Sequence, residues 1–314
     1  MTLEPLARPA RLRPGARVAV VAPSGPVPAD RLERGLDLLR GWDLDPVVAP
    51  HALERHPDLD HLAGTDEHRA RDLQEAWCDP SVDAVLCARG GYGAHRMVDL
   101  LDWSAIRAAG PKVFVGYSDI TVLHEAFALR AGFSTLHGPM VATDVFLKDT
   151  DTQEALRSTL FEPESVRILG LDAAVALVPG AARGVTYGGC ASLLAADAGT
   201  PRARTSARGG LLVIEDTGED PYRLDGILTR LLRIGALDSI AGVVCGSWEA
   251  CGPAEGVRAV LADRLGGLGV PVVDELGFGH GPSALTVPLG VPAVLDAPAD
   301  GGRCTLTVQV PALL

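Results

Sequence analysis

Residues 84–93 read AVLCARGGYG and residues 113–120 read VFVGYSDI. Each is a short apolar run that breaks into a glycine-bearing turn. An apolar run of this length bounded by a turn is the pattern of a strand buried on both faces. Upstream, Val18–Ala22 is a further run ending at Pro23-Ser24-Gly25. Asp30–Leu39 follows with Leu32, Leu36 and Leu39 at helical spacing, and Pro46–Ala49 reads as another strand. Asp66–Ala76 reads as a helix with Thr65 as its N-cap, and a helix runs from about Ile120 to Ala131. Strands alternating with helices predict a parallel sheet covered on both sides. Ligands of such sheets bind beyond the carboxyl ends of the strands, which is where both glycine turns lie.

The second half reads differently. Gly209–Glu215, Gly242–Cys245 and Pro271–Val273 are strands, interleaved with helices over Arg223–Ile234 and Val257–Leu265. Pro292–Leu295 and Cys304–Val310 show strand alternation that points to antiparallel pairing, hence a smaller α/β or β-rich unit. Residues 144–185 are weak in pattern and suit a connection. The expected division is a domain over 1–168, a linker over 169–184 and a second domain over 185–314.

A chain of 314 residues suits two domains of roughly 100–200 residues each. It is 47% hydrophobic and 22% charged, which excludes a disordered or fibrous protein. The net charge of −12 and the absence of a basic stripe argue against nucleic acid as a partner. No apolar run reaches the ~18–20 residues that span a bilayer, so no membrane partner is expected. The first apolar stretch reads into a strand and turn without a small-residue cleavage site, so no secretory leader is expected. Six cysteines (78, 87, 190, 245, 251 and 304) contain no CxxC pair and lie mostly in apolar segments. They read as buried thiols in a reducing, cytoplasmic setting.

Three side chains are candidates for chemistry. Ser118, at the turn between a strand and a helix, would stand over the sheet edge near free N–H groups. GYSDI departs from the G-x-S-x-G elbow because Ile120 stands where the second glycine would be. On spacing alone a Ser-Asp pair before a helix also reads as a cap. His280, between glycines in GFGHGP, is either a base for the serine or a surface-loop histidine. Glu215 ends the apolar strand LLVIE and either steadies an imidazolium or is solvated at the strand end, with Glu219 as the competing carboxylate. The backbone N–H of Asp119 and that of Gly91 are candidate oxyanion donors. Arg89 either pairs with a substrate carboxylate or fixes its own loop; Tyr117 and Trp248 are further candidate substrate contacts, and Trp248 equally reads as packing. Histidines 51, 56, 61 and 68 match no compact metal motif and read as solvated. RGGYG lacks the signatures of a P-loop and of a dinucleotide fingerprint.

Taken in order, LAGTDEHRARDLQEAW (62–77), ARGGYGAHR (88–96), PKVFVGYSDITVLH (111–124), TLHGPM (135–140), YGGCASLLAADAGTP (187–201), LLVIEDTGEDPYRLDGILTRL (211–231) and GFGHG (277–281) resemble the LD-carboxypeptidase family of serine peptidases. That family includes murein tetrapeptide carboxypeptidase and the microcin C self-immunity peptidases. The resemblance implies a Ser118–Glu215–His280 triad, a flavodoxin-like (class I amidotransferase-like) N-terminal domain bearing the nucleophile, and a smaller swivelling β/α C-terminal domain, with the active site in the cleft between them. It implies no metal or organic cofactor, a small peptide substrate, a homodimer, and release of a terminal D-Ala from a cytoplasmic murein tetrapeptide through an acyl-enzyme. The alternatives are cleavage of an aminoacyl-nucleotide toxin, and a non-catalytic binding protein on the same scaffold. Cys190 stands where the family pattern GGN has Asn.

Overall fold

In the computed structural model, which describes residues 2–314, the apolar runs of the first half form five strands. They are β1 (Arg17–Val21), β2 (Asp45–Val48), β3 (Ala84–Cys87), β4 (Val113–Gly116) and β5 (Thr135–His137). All pair in parallel, in the spatial order β5-β4-β3-β1-β2. This is the flavodoxin-like winding, whose order reverses between β1 and β3 and opens a crevice there. Successive residues of a strand feed opposite cores. Val18 and Val20 pack with Leu32, Leu36 and Leu39 of the helix Ala29–Gly41, whereas Ala19 and Val21 face Leu73 and Trp77 of the helix Asp66–Cys78. Burial on both faces is why these strands read as unbroken apolar runs. Thr65 caps the helix Asp66–Cys78, accepting from the N–H of His68 at 3.2 Å.

The remaining strands are β6 (Ile168–Leu169), β7 (Val175–Val178), β8 (Gly180–Cys190), β9 (Gly210–Thr217), β10 (Gly242–Glu249), β11 (Val272–Asp274), β12 (Val287–Leu289), β13 (Pro292–Ala297) and β14 (Thr305–Val308). All but β12 form an eight-stranded sheet with a parallel centre, β8-β9-β10-β11. β13 and β14 extend it antiparallel, as their alternation predicts. Leu224, Leu228 and Leu231 of the helix Pro221–Arg233 and Val257, Leu261 and Leu265 of the helix Ala254–Leu265 cover one face.

The structure departs from the sequence reading in three places. Residues 169–184, expected as a linker, hold β7 and the start of β8. β7 is a half-exposed edge strand bounded by Pro179 and Gly180, so its hydrophobic signal is weak. Residues 144–161 form two helices, Asp144–Lys148 and Thr150–Phe161. The helix expected over 120–131 is one 3-10 turn (Ser118–Ile120), an α segment (Thr121–Ala126) and a π turn (Phe127–Ala131) closed by left-handed Gly132.

β12 crosses from the second half of the chain to the first sheet and pairs antiparallel with β5, Val287 opposite His137. Pro288 is tolerated there because β12 is the edge strand. A second tie is the pair Arg204–Glu125, at 2.9 and 3.0 Å, with both side chains 13% exposed and the guanidinium over the Tyr187 ring. Removing one partner strands a desolvated charge. Glu125→Ala is therefore expected to cost about 3 kcal/mol in urea unfolding. The double variant with Arg204→Ala should lose less than the sum of the two single losses, and additive losses would show that the pair is uncoupled.

Candidate active site

Ser118 follows β4 with φ of +63°, a left-handed backbone that non-glycine residues rarely adopt. Its side chain caps neither the 3-10 turn nor the helix that follows. The turn is thus a strained elbow presenting the hydroxyl, and the cap reading does not hold. Ile120 fits where the common pattern has glycine because Gly116 yields the space: a Cβ on Gly116 would lie 2.7 Å from Ile120 Cγ2. The elbow is braced through Asp119, a buried carboxylate that accepts from Ser24 Oγ at 2.6 Å and from the N–H of Ala94 at 2.8 Å. It thereby joins the loops after β1, β3 and β4. Burial raises the Asp119 pKa despite these hydrogen bonds.

The RGGYG loop lies directly on the elbow. A Cβ on Gly90 would sit 3.0 Å from Ser118 Cβ and 3.2 Å from Oγ, so Gly90 leaves the room the hydroxyl occupies. The Gly90 carbonyl accepts from the N–H of Gly25 at 3.0 Å. In a trans peptide the N–H of Gly91 then points away from Gly25. Arg89 donates through Nη1 to the Pro26 carbonyl at 3.0 Å, so one of its nitrogens fixes the loop.

Glu215 and His280 meet. The His280 Nδ1 lies 2.5 Å from Glu215 Oε2, with the carboxylate fully buried and the imidazole side chain 16% exposed. Glu215 occupies the last buried part of β9, opposite Cys190 in the parallel register with β8. His280 reaches it because Gly279 has φ of +101° and no side chain; a Cβ there would lie 2.7 Å from Glu215 Oε2. Ser247 Oγ accepts from the N–H of Gly281 at 2.8 Å and holds the loop from below. Tyr117, 7% exposed, packs its ring against His280 with centroids 4.7 Å apart. His280 is thus set against the residue preceding Ser118, and Tyr117 serves as a wall for the imidazole. Burial raises the Tyr117 pKa, so the phenol stays protonated. Burial would raise the Glu215 pKa, but the imidazoles of His137 and His280 outweigh it and hold the group below the usual carboxylate range. Burial would lower the His280 pKa, but the hydrogen bond to Glu215 and its charge raise it above the ordinary value.

The competing carboxylate, Glu219, is turned to Arg223 instead. Trp248 donates from Nε1 to buried Asp274 at 3.0 Å, and with Ser247, Glu249, Gly281 and Ser283 it lines a cavity of about 370 Å³ beside the His280 loop. Cys190 is buried within the fold; its N–H donates to Thr121 Oγ1 at 2.8 Å and its thiol contacts Asp216 at 3.2 Å. It braces β8 against the helix that follows the elbow. Two of the histidines expected to be solvated are paired: His51 Nδ1 with Asp72 at 2.6 Å and His68 Nδ1 with Glu54 at 2.7 Å, their rings stacked 4.1 Å apart. Donor atoms of His51, Glu54 and His68 lie within 4.8 Å of one another. Near-parallel rings direct their in-plane lone pairs side by side instead of at one point, so the group is two imidazole–carboxylate pairs. His137, at the end of β5, was not singled out from the sequence. Its only signal there is a histidine closing a short apolar run before Gly138-Pro139.

Substituting Gly279 tests the loop geometry. Gly279→Ala should displace the Glu215 carboxylate and lower catalytic turnover about 100-fold, with the circular dichroism of the folded protein retained. Wild-type turnover would show that the approach of loop to carboxylate is not needed.

Residues 18–138 match the N-terminal domain of the LD-carboxypeptidase family and residues 183–295 its C-terminal domain. A putative carboxypeptidase of Streptomyces coelicolor is 68% identical over 308 residues, covering 98% of each chain. The murein tetrapeptide carboxypeptidase of Pseudomonas aeruginosa is 33% identical over 290 residues, covering 89% of this chain and 93% of that one. The crystal structure of muramoyltetrapeptide carboxypeptidase from Oxalobacter formigenes superposes with a TM-score of 0.81 at 28% identity, covering 94% and 99% of the two chains.

Proposed function

The chain belongs to the LD-carboxypeptidase family of serine peptidases, and on that premise we propose that it releases a terminal D-Ala from a murein tetrapeptide through an acyl-enzyme on Ser118. The observation that carries this reading is the buried Glu215 carboxylate holding Nδ1 of His280 at 2.5 Å beside a strained serine elbow. With Nδ1 engaged, Nε2 is the nitrogen left to take the Ser118 proton. Oγ attacks the carbonyl carbon of the L,D bond, and the N–H groups of Asp119 and Gly91 receive the oxyanion. His280 then passes its proton to the departing amine of D-Ala, and water, activated by the same imidazole, hydrolyses the ester. Glu215 stays ionised throughout and stabilises the imidazolium. Arg89 keeps Nη2 for the carboxylate of the terminal residue, and the cavity beside Trp248 takes the body of the peptide. On this reading the reaction runs in the cytoplasm, on recovered wall fragments, and the chain works as a homodimer. No helix is long and apolar enough to cross a membrane.

Ser118→Ala should lower hydrolysis of the tetrapeptide by roughly 10⁴-fold or more while leaving the fold intact. A fluorophosphonate should label Ser118 only while His280 is present. Unchanged hydrolysis by the alanine variant removes the serine from the mechanism. Faster cleavage of an aminoacyl sulfamoyl-adenylate than of the tetrapeptide would instead favour a toxin-degrading role, and inertness to both a binding role.

The pH dependence has a definite sign. His280 must be neutral to act as base, and its pKa is raised above 6.5 by Glu215. Thus kcat/KM should rise with pH through an inflection above 6.5, while Glu215, with its pKa lowered, adds no inflection above pH 5. An acidic limb centred below 6.5 would contradict the pairing.

A further inference from the structure

Glu215 has two oxygens, and the triad uses one. Oε2 holds His280, whereas Oε1 is buried without a hydrogen-bond partner. A buried carboxylate oxygen left unpaired is costly. Facing Oε1 at 3.7 Å is Nε2 of His137, whose side chain is 1% exposed and whose ring nitrogens both lack partners among the described residues. The ring is boxed by Phe278, edge to face at 5.5 Å and 87°, and by Tyr117 at 6.0 Å. Its backbone is held from two sides, by β4 (Gly116 opposite His137) and by β12 (Val287 opposite His137). The register that places Ser118 after β4 therefore also places His137.

We propose that His137 is a positioning residue of the reaction, donating Nε2–H to Oε1 of Glu215 and so aligning the glutamate–imidazole pair of the second sheet with the nucleophile of the first. This rests on the Ser118–Glu215–His280 reading. At 3.7 Å the contact is beyond hydrogen-bond length, and catalytic contacts in an unliganded site tighten in the substrate complex. Donation to Glu215 requires the proton on Nε2, the ring nitrogen that faces Oε1. His124, 6.3 Å away between ring centroids, adds no charge: burial and the neighbouring His137 push its pKa down to about 3, and its Nε2 lies 2.9 Å from the Gly116 carbonyl. The other groups acting on the pair are Asp216 on β9, Glu249 on β10 and Tyr117.

His137→Phe keeps the ring and removes the donor. It should lower kcat by up to about 100-fold with KM unchanged, because His137 orients the base and touches no substrate. Losing the donor concentrates the charge of Glu215 on Oε2. The acidic limb of kcat/KM should then move to higher pH, and the low-field proton resonance of the His280–Glu215 hydrogen bond should shift. His137→Gln, whose amide reaches the place of Nε2, should restore both; His137→Asn, too short, should not. A folded His137→Phe protein with wild-type kcat and an unmoved limb overturns the proposal. So do equal activities of the Gln and Asn variants, a comparison that decides the matter if the Phe variant does not fold. The resonance is also read in the Ser118→Ala background. A shift there upon His137→Phe supports the alignment even if Ser118 proves dispensable, whereas an unmoved resonance with Ser118 essential defeats this inference alone.

Discussion

A carboxylate with no exposed surface lies at the seam of two sheets, and its charge organises what surrounds it. Burying an ionised carboxylate costs several kcal/mol unless paired groups offset that cost. Glu215 has an imidazole hydrogen-bonded to one oxygen and a second imidazole facing the other. The chain around it is shaped accordingly. Gly279 is bare so that the loop can reach the carboxylate, Ser247 holds that loop from below, and Tyr117 walls the His280 ring.

Ser118 and His280 follow strands of different sheets, so their alignment depends on what joins those sheets. β12 leaves the segment that carries His280 and joins the edge of the sheet from which Ser118 emerges. The N–H of Cys190, at the end of β8, bonds Thr121 just past the elbow, and Arg204 grips Glu125 one turn further along. A cysteine serves at 190 because the bond to Thr121 is made by the backbone, while its thiol fills a buried space against Asp216. Asp119 performs the corresponding service within the first sheet, tying three loops to the elbow through one carboxylate.

Strands buried on both faces were legible because every residue in them must be apolar, as in β3 and β4. That the first sheet is parallel followed from their alternation with helices, and its flavodoxin-like winding was implied by the family resemblance. β7 and β12 were not legible. Each is short and lies at an edge, and β12 contains Pro288, so neither carries a periodic signal. Ser118, Glu215 and His280 were visible as strand-end or loop residues with open alternatives, and the resemblance joined them. Spacing could not decide between cap and elbow at Ser118, because the deciding quantity is a backbone dihedral. Nor could spacing show His51 and His68 stacked, since Glu54 and Asp72 reach them through folded chain.

What the sequence by itself determined is the local layer: which fully buried runs are strands, where glycine permits a turn, and that a hydroxyl, a carboxylate and an imidazole fall near strand ends or in loops. That layer follows from burial and backbone sterics acting over a few residues. Only the tertiary structure decided which oxygen of Glu215 meets His280, that His137 faces the other, and that a strand from the second half completes the first sheet. Those are meetings of residues 65 to 154 positions apart, and they are set by how buried charge and backbone polar groups are satisfied once the two sheets close on each other.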